Sequence, residues 1–258
     1  MHIALTGAAT GIGAAVAAKC KASGHTVTAY DIVEPPFNID HWIETDMSSS
    51  ESVTQAIAAS TGQYDALINN AGVPPREGMA EWVLNVNFIG FRQLLTGLLN
   101  KLAPGAAIVN SASRAGAMWR DNLDEVKALL SLESRAELGE FVDTRGINHV
   151  RAYNLSKEAV IVYTLQNAES LLKRGYRMNS VSPAAVSTAI LEDFVKAFGG
   201  KVEQNISRAG RAGTAAEVAD VIVFLASPES GWVKGVDIVV DGGMSAMAAA
   251  DALGLNDQ

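Results

Sequence analysis

The chain has 258 residues, of which 48% are hydrophobic and 19% charged, and its formal net charge is -8 at pH 7. This length fits one α/β domain, and the acidic balance gives the chain no electrostatic attraction to nucleic acid or to an anionic membrane. The lone cysteine, Cys20, excludes an intrachain disulfide and has no partner at metal-ligand spacing, so we expect no metal site and a cytoplasmic location.

Short apolar runs alternate with longer helical patterns along the whole chain. Strands are predicted, in chain order, at 2–6, 26–30, 66–68, 106–110, 177–181 and 236–240. Helices are predicted at 12–23, 53–59, 82–102, 152–173 and 216–226. Near-continuous apolar strands separated by helices are typical of a parallel sheet covered on both faces. The pattern predicts one α/β domain over residues 1–258, with a doubly wound parallel sheet of the Rossmann type, no membrane span and no leader peptide ahead of the first strand.

One segment interrupts this alternation between strand 106–110 and helix 152–173. About forty residues stand where a loop of 2 to 6 is usual. Apolar side chains recur there at helical spacing with charged residues between them, namely Leu123, Val126, Leu129, Leu130, Leu138, Phe141 and Val142. We interpret 117–150 as an inserted helical pair.

A glycine-rich turn joins the first strand to the first helix, with the sequence Thr6-Gly7-Ala8-Ala9-Thr10-Gly11-Ile12-Gly13. Glycine lets a backbone turn sharply and approach a pyrophosphate without a Cβ clash. The helix N-terminus then presents free N–H groups to the anion. An ordinary strand-to-helix turn would also fit this motif taken alone.

Asp31 ends the second predicted strand, about 20 residues past the glycine turn, where a carboxylate would meet the adenosine ribose. A carboxylate there accepts hydrogen bonds from the ribose hydroxyls and repels a 2′-phosphate. No arginine or lysine follows it closely. The pattern favours NAD over NADP, with a solvated turn aspartate as the alternative.

Several blocks of the chain together resemble the short-chain dehydrogenases/reductases. They are the turn at 6–13, Asn69-Asn70-Ala71-Gly72, Asn87, Ser113, Tyr153-Asn154-Leu155-Ser156-Lys157 and Asp241-Gly242-Gly243. The long insertion between serine and tyrosine, and the Ala-Thr-Gly-Ile-Gly start, are most similar to the bacterial 3α-hydroxysteroid dehydrogenase/carbonyl reductase group. The resemblance implies an NAD-dependent oxidoreductase that acts on CH–OH groups.

Tyr153 and Lys157 are four residues apart in a helical pattern, so both side chains project from one helix face. A nearby ammonium favours the phenolate, so we expect Lys157 to lower the pKa of Tyr153 and let it act as an acid and base. The resemblance implies that Ser113 stabilises charge on the substrate oxygen, with Ser111 as the alternative. It also implies that Asn87 supports a water-linked proton relay to the lysine, with Asn85 as the competing candidate.

The resemblance further implies a set of cofactor contacts in addition to Tyr153 and Lys157. They are Gly7, Thr10, Gly11, Ile12, Gly13, Asp31, Ile32, Asp46, Met47, Asn69, Ala71, Gly72, Pro183, Val186 and Thr188. The Asp46-Met47 pair fits the region before a helix N-cap nearly as well. The family usually has glycine where this chain has Ala184, which puts the contact through Val186 in doubt.

The resemblance implies that the substrate lies under a mobile lid at 189–204, whose apolar residues exclude water from hydride transfer. Its apolar residues are Ile190, Leu191, Phe194, Val195 and Phe198. Met118 and Trp119 would wall the same pocket. These residues favour a bulky secondary alcohol or ketone with a cyclic, aromatic or steroid-like skeleton, although Arg114 and Arg120 leave a charged substrate open.

Two further expectations concern the whole protein. A catalytically silent, nucleotide-sensing regulator with the same fold is the alternative function, but it predicts a damaged tyrosine or lysine, and both are intact. Helix 82–102 is apolar nearly all round, which argues against a monomer. The resemblance implies assembly through the long helices and the C-terminal strand. We expect a homodimer, with a tetramer as the alternative, because the insertion directly precedes the Tyr153 helix and would block one of these faces.

Overall fold

The computed structural model describes residues 1–255; residues 256–258, which the predicted domain includes, lie outside the described residues. Its strands are β1 (His2–Thr6), β2 (Thr26–Asp31), β3 (His41–Glu44), β4 (Tyr64–Asn69), β5 (Leu102–Ser111), β6 (Arg177–Pro183), β7 (Val186–Ser187), β8 (Gly213–Thr214) and β9 (Asp237–Val240). Seven of them form one parallel sheet in the order β3-β2-β1-β4-β5-β6-β9, and β7 pairs with β8.

The helices of the described chain follow the strands in alternation. They are α1 (Gly11–Ala22), α2 (Ser50–Ala59), α3 (Ala80–Leu84), α4 (Phe91–Leu98), α5 (Leu123–Leu130), α6 (Leu138–Arg145), α7 (His149–Lys173), α8 (Leu191–Phe198), α9 (Gly200–Ala209), α10 (Ala215–Ala226) and α11 (Met244–Ala252). A π-helical segment, Asn85–Gly90, joins α3 to α4. No helix within residues 1–255 has the length and apolar character needed to cross a membrane.

The sheet order reverses direction at β1, which lies between β2 and β4. In an open parallel sheet, a crevice forms beyond the carboxyl ends of the strands at such a reversal. The glycine turn follows β1, and the Asn69-Asn70-Ala71-Gly72 block follows β4. The predicted doubly wound fold of the Rossmann type is confirmed, and its crevice lies where these two motifs meet.

Buried apolar residues cover both faces of the sheet. On one face α1 packs against α10, and the fully buried Cys20 belongs to this layer. Burial raises the pKa of the Cys20 thiol to about 11, so the thiol stays protonated and contributes through packing. On the other face α2, α4 and α7 enclose a larger cluster that includes Phe88, Leu94 and Leu98.

The long apolar helix predicted at 82–102 runs as α3, the π-helical segment and α4, followed by a short 3-10 turn; Leu102 already begins β5. Its apolar side chains are covered within the chain, because α7 and α6 pack on α3 while α2 packs on α4. The argument that this helix excludes a monomer is therefore wrong. The assembly expected for the protein has to rest on other surfaces.

The predicted helical pair is present between β5 and α7. It consists of α5 and α6 with a 3-10 turn, Arg135–Glu137, ahead of α6. Val126, Leu129 and Phe141 are buried, as their spacing predicted, and α5 packs against α7. The insertion therefore extends the core on the side of the long helices.

Candidate active site

A cavity of about 660 Å³ opens at the carboxyl ends of the strands. It runs from the glycine turn, past the ends of β2, β4 and β5, to α7 and the segment after β6. The predicted site residues on its wall are Gly7, Thr10, Gly11, Ile12, Asp31, Ile32, Asp46, Met47, Ala71, Gly72, Ser113, Tyr153, Lys157, Pro183, Val186 and Thr188. One continuous cavity therefore joins the predicted cofactor motifs to the predicted catalytic groups.

The glycine turn is shaped by close contacts that only glycine permits. Gly7 has φ +68, and a Cβ on it would lie 2.7 Å from the Cα of Ala71. A Cβ on Gly13 would lie 1.8 Å from the carbonyl oxygen of Gly7. Gly13, predicted as a cofactor contact, does not line the cavity, because it packs the start of α1 against the turn. The side chain of Thr10, the N-cap of α1, makes no capping hydrogen bond. The first N–H groups of the helix therefore remain available to a ligand.

Asp31 lies at the end of β2, between the glycine turn and the cavity mouth. Its carboxylate accepts hydrogen bonds from the backbone N–H of Ala9 at 2.9 Å and of Val33 at 3.4 Å. Ile32 follows it on the wall and is largely exposed. The structure thus places at the cavity wall the carboxylate that the sequence predicted to meet an adenosine ribose.

The two asparagines at the end of β4 have different positions. Asn69, a predicted cofactor contact, does not line the cavity: it is buried and donates through Nδ2 to Oδ1 of Asn110 at 2.9 Å. Asn70 lines the cavity instead, donating to the carbonyl of Gly7 and accepting from the hydroxyl of Ser111. The alternation of a strand explains the difference, because adjacent side chains point to opposite sides.

Asp46 and Met47 line the cavity, as the resemblance implied, while Ser49 is the residue that caps α2. Asp46 accepts hydrogen bonds from the backbone N–H and the hydroxyl of Ser48, at 2.8 and 2.7 Å. Asp46 and Met47 thus belong both to the turn before α2 and to the cavity wall. The predicted cofactor contact and the predicted region before the N-cap are therefore compatible.

Tyr153 and Lys157 lie one turn apart on α7, both buried. The Nζ atom of Lys157 lies 5.8 Å from the ring centroid of Tyr153 and donates to the carbonyl oxygen of Ser111 at 3.0 Å. The hydroxyl of Ser113 makes a hydrogen bond to Tyr153. Ser113 therefore belongs beside the tyrosine, while Ser111 holds Asn70 and the lysine.

Burial determines the acid–base state of both groups. It raises the pKa of Tyr153 to about 12, against the opposing hydrogen bond from Ser113. It lowers the pKa of Lys157 to about 8. The expectation that Lys157 lowers the pKa of Tyr153 is wrong, because burial of the phenol raises its pKa and the group that opposes this rise is Ser113.

Asn87 lies within the π-helical segment and does not line the cavity. Its Oδ1 accepts from the backbone N–H of Val73 at 2.7 Å, and its Nδ2 donates to the Val73 carbonyl at 3.0 Å. A Cβ on Gly72 would lie 3.2 Å from this Oδ1 and 3.6 Å from Nζ of Lys157, so only a glycine backbone stands between the two side chains. The alternative, Asn85, donates to the Ser48 carbonyl away from the lysine. The structure thus places Asn87, and not Asn85, beside Lys157.

The predicted lid forms two helices, α8 and α9, and extends to Ala209, beyond the predicted end at 204. Phe194 and Phe198 line the cavity and meet the ring of Tyr153 edge-on, with centroids 5.1 and 6.2 Å away. Before the lid, the residues that also line the cavity are Pro183, Ala184, Ala185, Val186 and Thr188. Aromatic side chains therefore cover the phenol on the lid side.

Met118 and Trp119, predicted to wall the pocket, do not line it. Met118 is 57% exposed, and the guanidinium of Arg120 stacks over Trp119 at 4.1 Å. The residues that line the cavity in their place, missed from the sequence, include Trp82, Ala115, Asn205 and Met244. They come from separate elements, so no local pattern could have identified them. Arg114 also lines the cavity and donates to Ser245 at 3.1 Å.

Comparisons with known proteins agree with this geometry. A family model described as short chain dehydrogenase matches residues 1–123, and one described as Enoyl-(Acyl carrier protein) reductase matches residues 137–245. A coniferyl-alcohol dehydrogenase from a Pseudomonas species is 35% identical over 94% of this chain and 96% of its own length. A 3-alpha-hydroxysteroid dehydrogenase/carbonyl reductase from Comamonas testosteroni is 31% identical over 95% and 96%.

A solved structure matches over nearly the full length of both chains. It is the 3-alpha-hydroxysteroid dehydrogenase from Pseudomonas sp. B-0831 complexed with NADH, with a TM-score of 0.86, 32% identity, and coverage of 97% of this chain and 99% of that one. The present chain belongs to the short-chain dehydrogenase/reductase family. It is an oxidoreductase, and the resemblance identified from its motifs is confirmed.

Proposed function

We propose that this protein uses NAD to interconvert a secondary alcohol and a ketone carried on a bulky cyclic, aromatic or steroid-like skeleton. The observation that carries the proposal is the position of Tyr153. Its buried phenol lies between Ser113, Lys157 and the aromatic lid, in the cavity that begins at the glycine turn. Hydride transfer to a carbonyl carbon, or from an alcohol carbon, requires that acid–base side chains and the residues that bind the cofactor share one cavity.

The residues on the wall fit a dinucleotide. Gly7 and Gly11 line the cavity without side chains, and the N-terminus of α1 supplies N–H groups and a positive dipole end. Asp31 favours NAD, because its charge opposes a 2′-phosphate. Among the described side chains of the wall, the basic ones are Arg114 and Lys157, which lie at the catalytic end. The relative solved with NADH supports the same cofactor.

Tyr153 and its neighbours transfer the proton of the reaction. With a pKa near 12 the phenol is protonated at neutral pH, so it can donate a proton to a carbonyl oxygen that is being reduced. The Ser113 hydroxyl is placed to donate a hydrogen bond to the same oxygen. Bound NAD supplies the hydride acceptor or donor and, when oxidised, a positive charge that favours the phenolate for alcohol oxidation. Lys157 adds a second positive charge below pH 8.

The lid favours an apolar, ring-containing substrate. Phe194 and Phe198 leave an aromatic surface over the phenol, and Trp82, Ala115 and Met244 add apolar wall. Edge-to-face contacts between aromatic rings stabilise a planar ligand beyond the area that they bury. One relative is named for coniferyl alcohol and two for 3-alpha-hydroxysteroids, and both are ring-containing alcohols.

A panel of alcohols tests this function. We expect NADH to form from NAD⁺ with at least one of the 3α-hydroxysteroids, aryl carbinols or cyclic alcohols, and much more slowly from short-chain alcohols that leave the aromatic wall uncovered. NADP⁺ should support less activity than NAD⁺. Absence of turnover across the panel, with NADH still bound, would contradict the proposed reaction and favour a nucleotide sensor.

A further inference from the structure

The insertion is tied to the cavity by one half-buried arginine. Arg135 stands at the start of the 3-10 turn ahead of α6, and its Nη1 donates to the carbonyl oxygens of Met47 and Ser48, each at 2.9 Å. The same nitrogen donates to Oδ1 of Asn85, and Nη2 donates to Oε1 of Gln93 at 2.9 Å. A planar guanidinium that satisfies several acceptors at once fixes their relative positions.

Met47 is the residue through which this contact reaches the cavity. Its backbone carbonyl is held by Arg135, while the residue itself lines the wall beside Asp46, Asp31 and Ile32. Gly90 of the π-helical segment packs closely on the same carbonyl, since a Cβ on Gly90 would lie 2.2 Å from the Met47 oxygen. The backbone of Met47 is therefore held between the π-helical segment and the insertion.

We propose that Arg135 is a positioning residue for the adenosine end of the cofactor site, acting through the backbone of Met47 and Ser48. This inference rests on the proposed use of NAD. Without the guanidinium, the two carbonyls lose a shared donor, and the turn that carries Asp46 and Met47 is free to move away from its place on the cavity wall beside Asp31. The insertion then contributes to cofactor affinity without touching the cofactor.

Arg92 provides a matched control. It is also half-buried, and its guanidinium also donates to two backbone carbonyls, those of Leu130 and Leu132, at 2.8 and 2.6 Å. These carbonyls belong to the end of α5 and the loop after it, and neither residue lines the cavity. Arg92→Met therefore removes hydrogen bonds of the insertion, as Arg135→Met does, but leaves the hydrogen bonds to Met47 and Ser48 on the cavity side intact.

The test compares binding of NADH and ADP-ribose, by calorimetry, to the wild type, Arg135→Met and Arg92→Met. We expect Arg135→Met to weaken both ligands by about tenfold, equivalent to one lost net hydrogen bond, with kcat at saturating NAD⁺ within about twofold. Arg92→Met should retain wild-type affinity, although both variants lose stability towards urea. If Arg135→Met does not fold, Arg135→Lys carries the same expectation, because an ammonium lacks the planar fork.

Three results would overturn the inference. If the wild type binds NADH and ADP-ribose and the Arg135 variants bind them equally well, the inference about Arg135 is overturned, while the proposed cofactor is not affected. Equal weakening by Arg92→Met would assign the effect to general loosening of the insertion. Failure of the wild type to bind NADH and ADP-ribose would overturn the proposed cofactor and this inference together.

Discussion

Burial moves the pKa values of the two central titratable residues in opposite directions, raising that of Tyr153 to about 12 and lowering that of Lys157 to about 8. Loss of water disfavours whichever form is charged, so the phenol stays neutral and the ammonium loses its proton more easily. The spacing of the two residues was readable from the sequence, but their burial depends on packing by distant elements. That is why the direction of the Tyr153 shift was predicted wrongly.

Lys157 should reduce the stability of the fold that holds it. Its folded-state pKa lies below the ordinary value of 10.5, so at pH 7 the folded protein keeps a proton that burial disfavours. Lys157→Met should raise the free energy of unfolding at pH 7, by up to roughly 3 kcal/mol for a shift of this size.

That gain should shrink as the pH rises from 8 towards 10.5, because the folded wild type then releases its proton while the unfolded chain retains it. Urea unfolding of both proteins at pH 7 and pH 10 measures the difference. The exposed Lys173→Met serves as the control and should change little. If Lys157→Met lowers the free energy of unfolding at pH 7, the buried ammonium does not destabilise the fold and the prediction is wrong.

Asp31→Ser should weaken the preference for NAD over NADP. The substitution removes the charge that opposes a 2′-phosphate and leaves a hydroxyl near the backbone N–H of Ala9. We expect the ratio of kcat/KM for the two cofactors to fall by roughly tenfold or more, the equivalent of about 1.4 kcal/mol. Asp65→Ser, a change at an exposed aspartate remote from the glycine turn, should leave the ratio unaltered. An unchanged ratio in Asp31→Ser would mean that this carboxylate does not meet the ribose.

At the scale of elements, apolar strands and amphipathic core helices were predictable because their signal is local. β3 was missed because its four residues are exposed or half-buried and so carry no apolar run. The two lid helices were recognised only as a lid, since α8 buries none of its residues. The π-helical segment had no local signal at all: Asn87 is bonded to Val73, fourteen residues earlier in the chain.

The junction of the glycine turn with α1 yields a prediction about Gly13. Gly13→Ala would place a methyl group 1.8 Å from the Gly7 carbonyl, a backbone atom that cannot rotate away. The helix must shift from the turn, so we expect a loss of about 3 kcal/mol in unfolding free energy and a loss of NADH binding. Gly24→Ala, at φ +74 with no atom within 4 Å of the new Cβ, should cost only about 1 kcal/mol and leave binding intact. Undiminished NADH binding by Gly13→Ala would refute the packing role.

At the scale of the whole molecule, the insertion changes which surfaces stay open. It helps to cover the helix that the sequence marked as an assembly face, together with α2 and α7. Large apolar side chains remain exposed elsewhere on the described chain, among them Trp232 at 92%, Phe224 and Val239. The expected association has to use exposed surfaces of this kind, because the long helix is covered within the chain. The cytoplasmic location stays a prediction.

We predict a homodimer in solution. Light scattering coupled to gel filtration measures the mass directly, and the expected value is twice that of one chain across a tenfold dilution. A mass of one chain at all concentrations would contradict the prediction, and a mass of four chains would favour the tetramer given as the alternative.

In the proposed mechanism Tyr153 moves the proton during NAD-dependent alcohol oxidation. The most direct measurement compares the wild type with Tyr153→Phe, by NADH formation from the best alcohol of the panel and by binding of NADH. The variant should lose roughly 10²-fold or more of kcat, in the range of general acid–base catalysis, because phenylalanine keeps the ring contacts of the lid but has no proton to exchange. Its NADH affinity should stay close to that of the wild type. Near-normal turnover by Tyr153→Phe would contradict the mechanism.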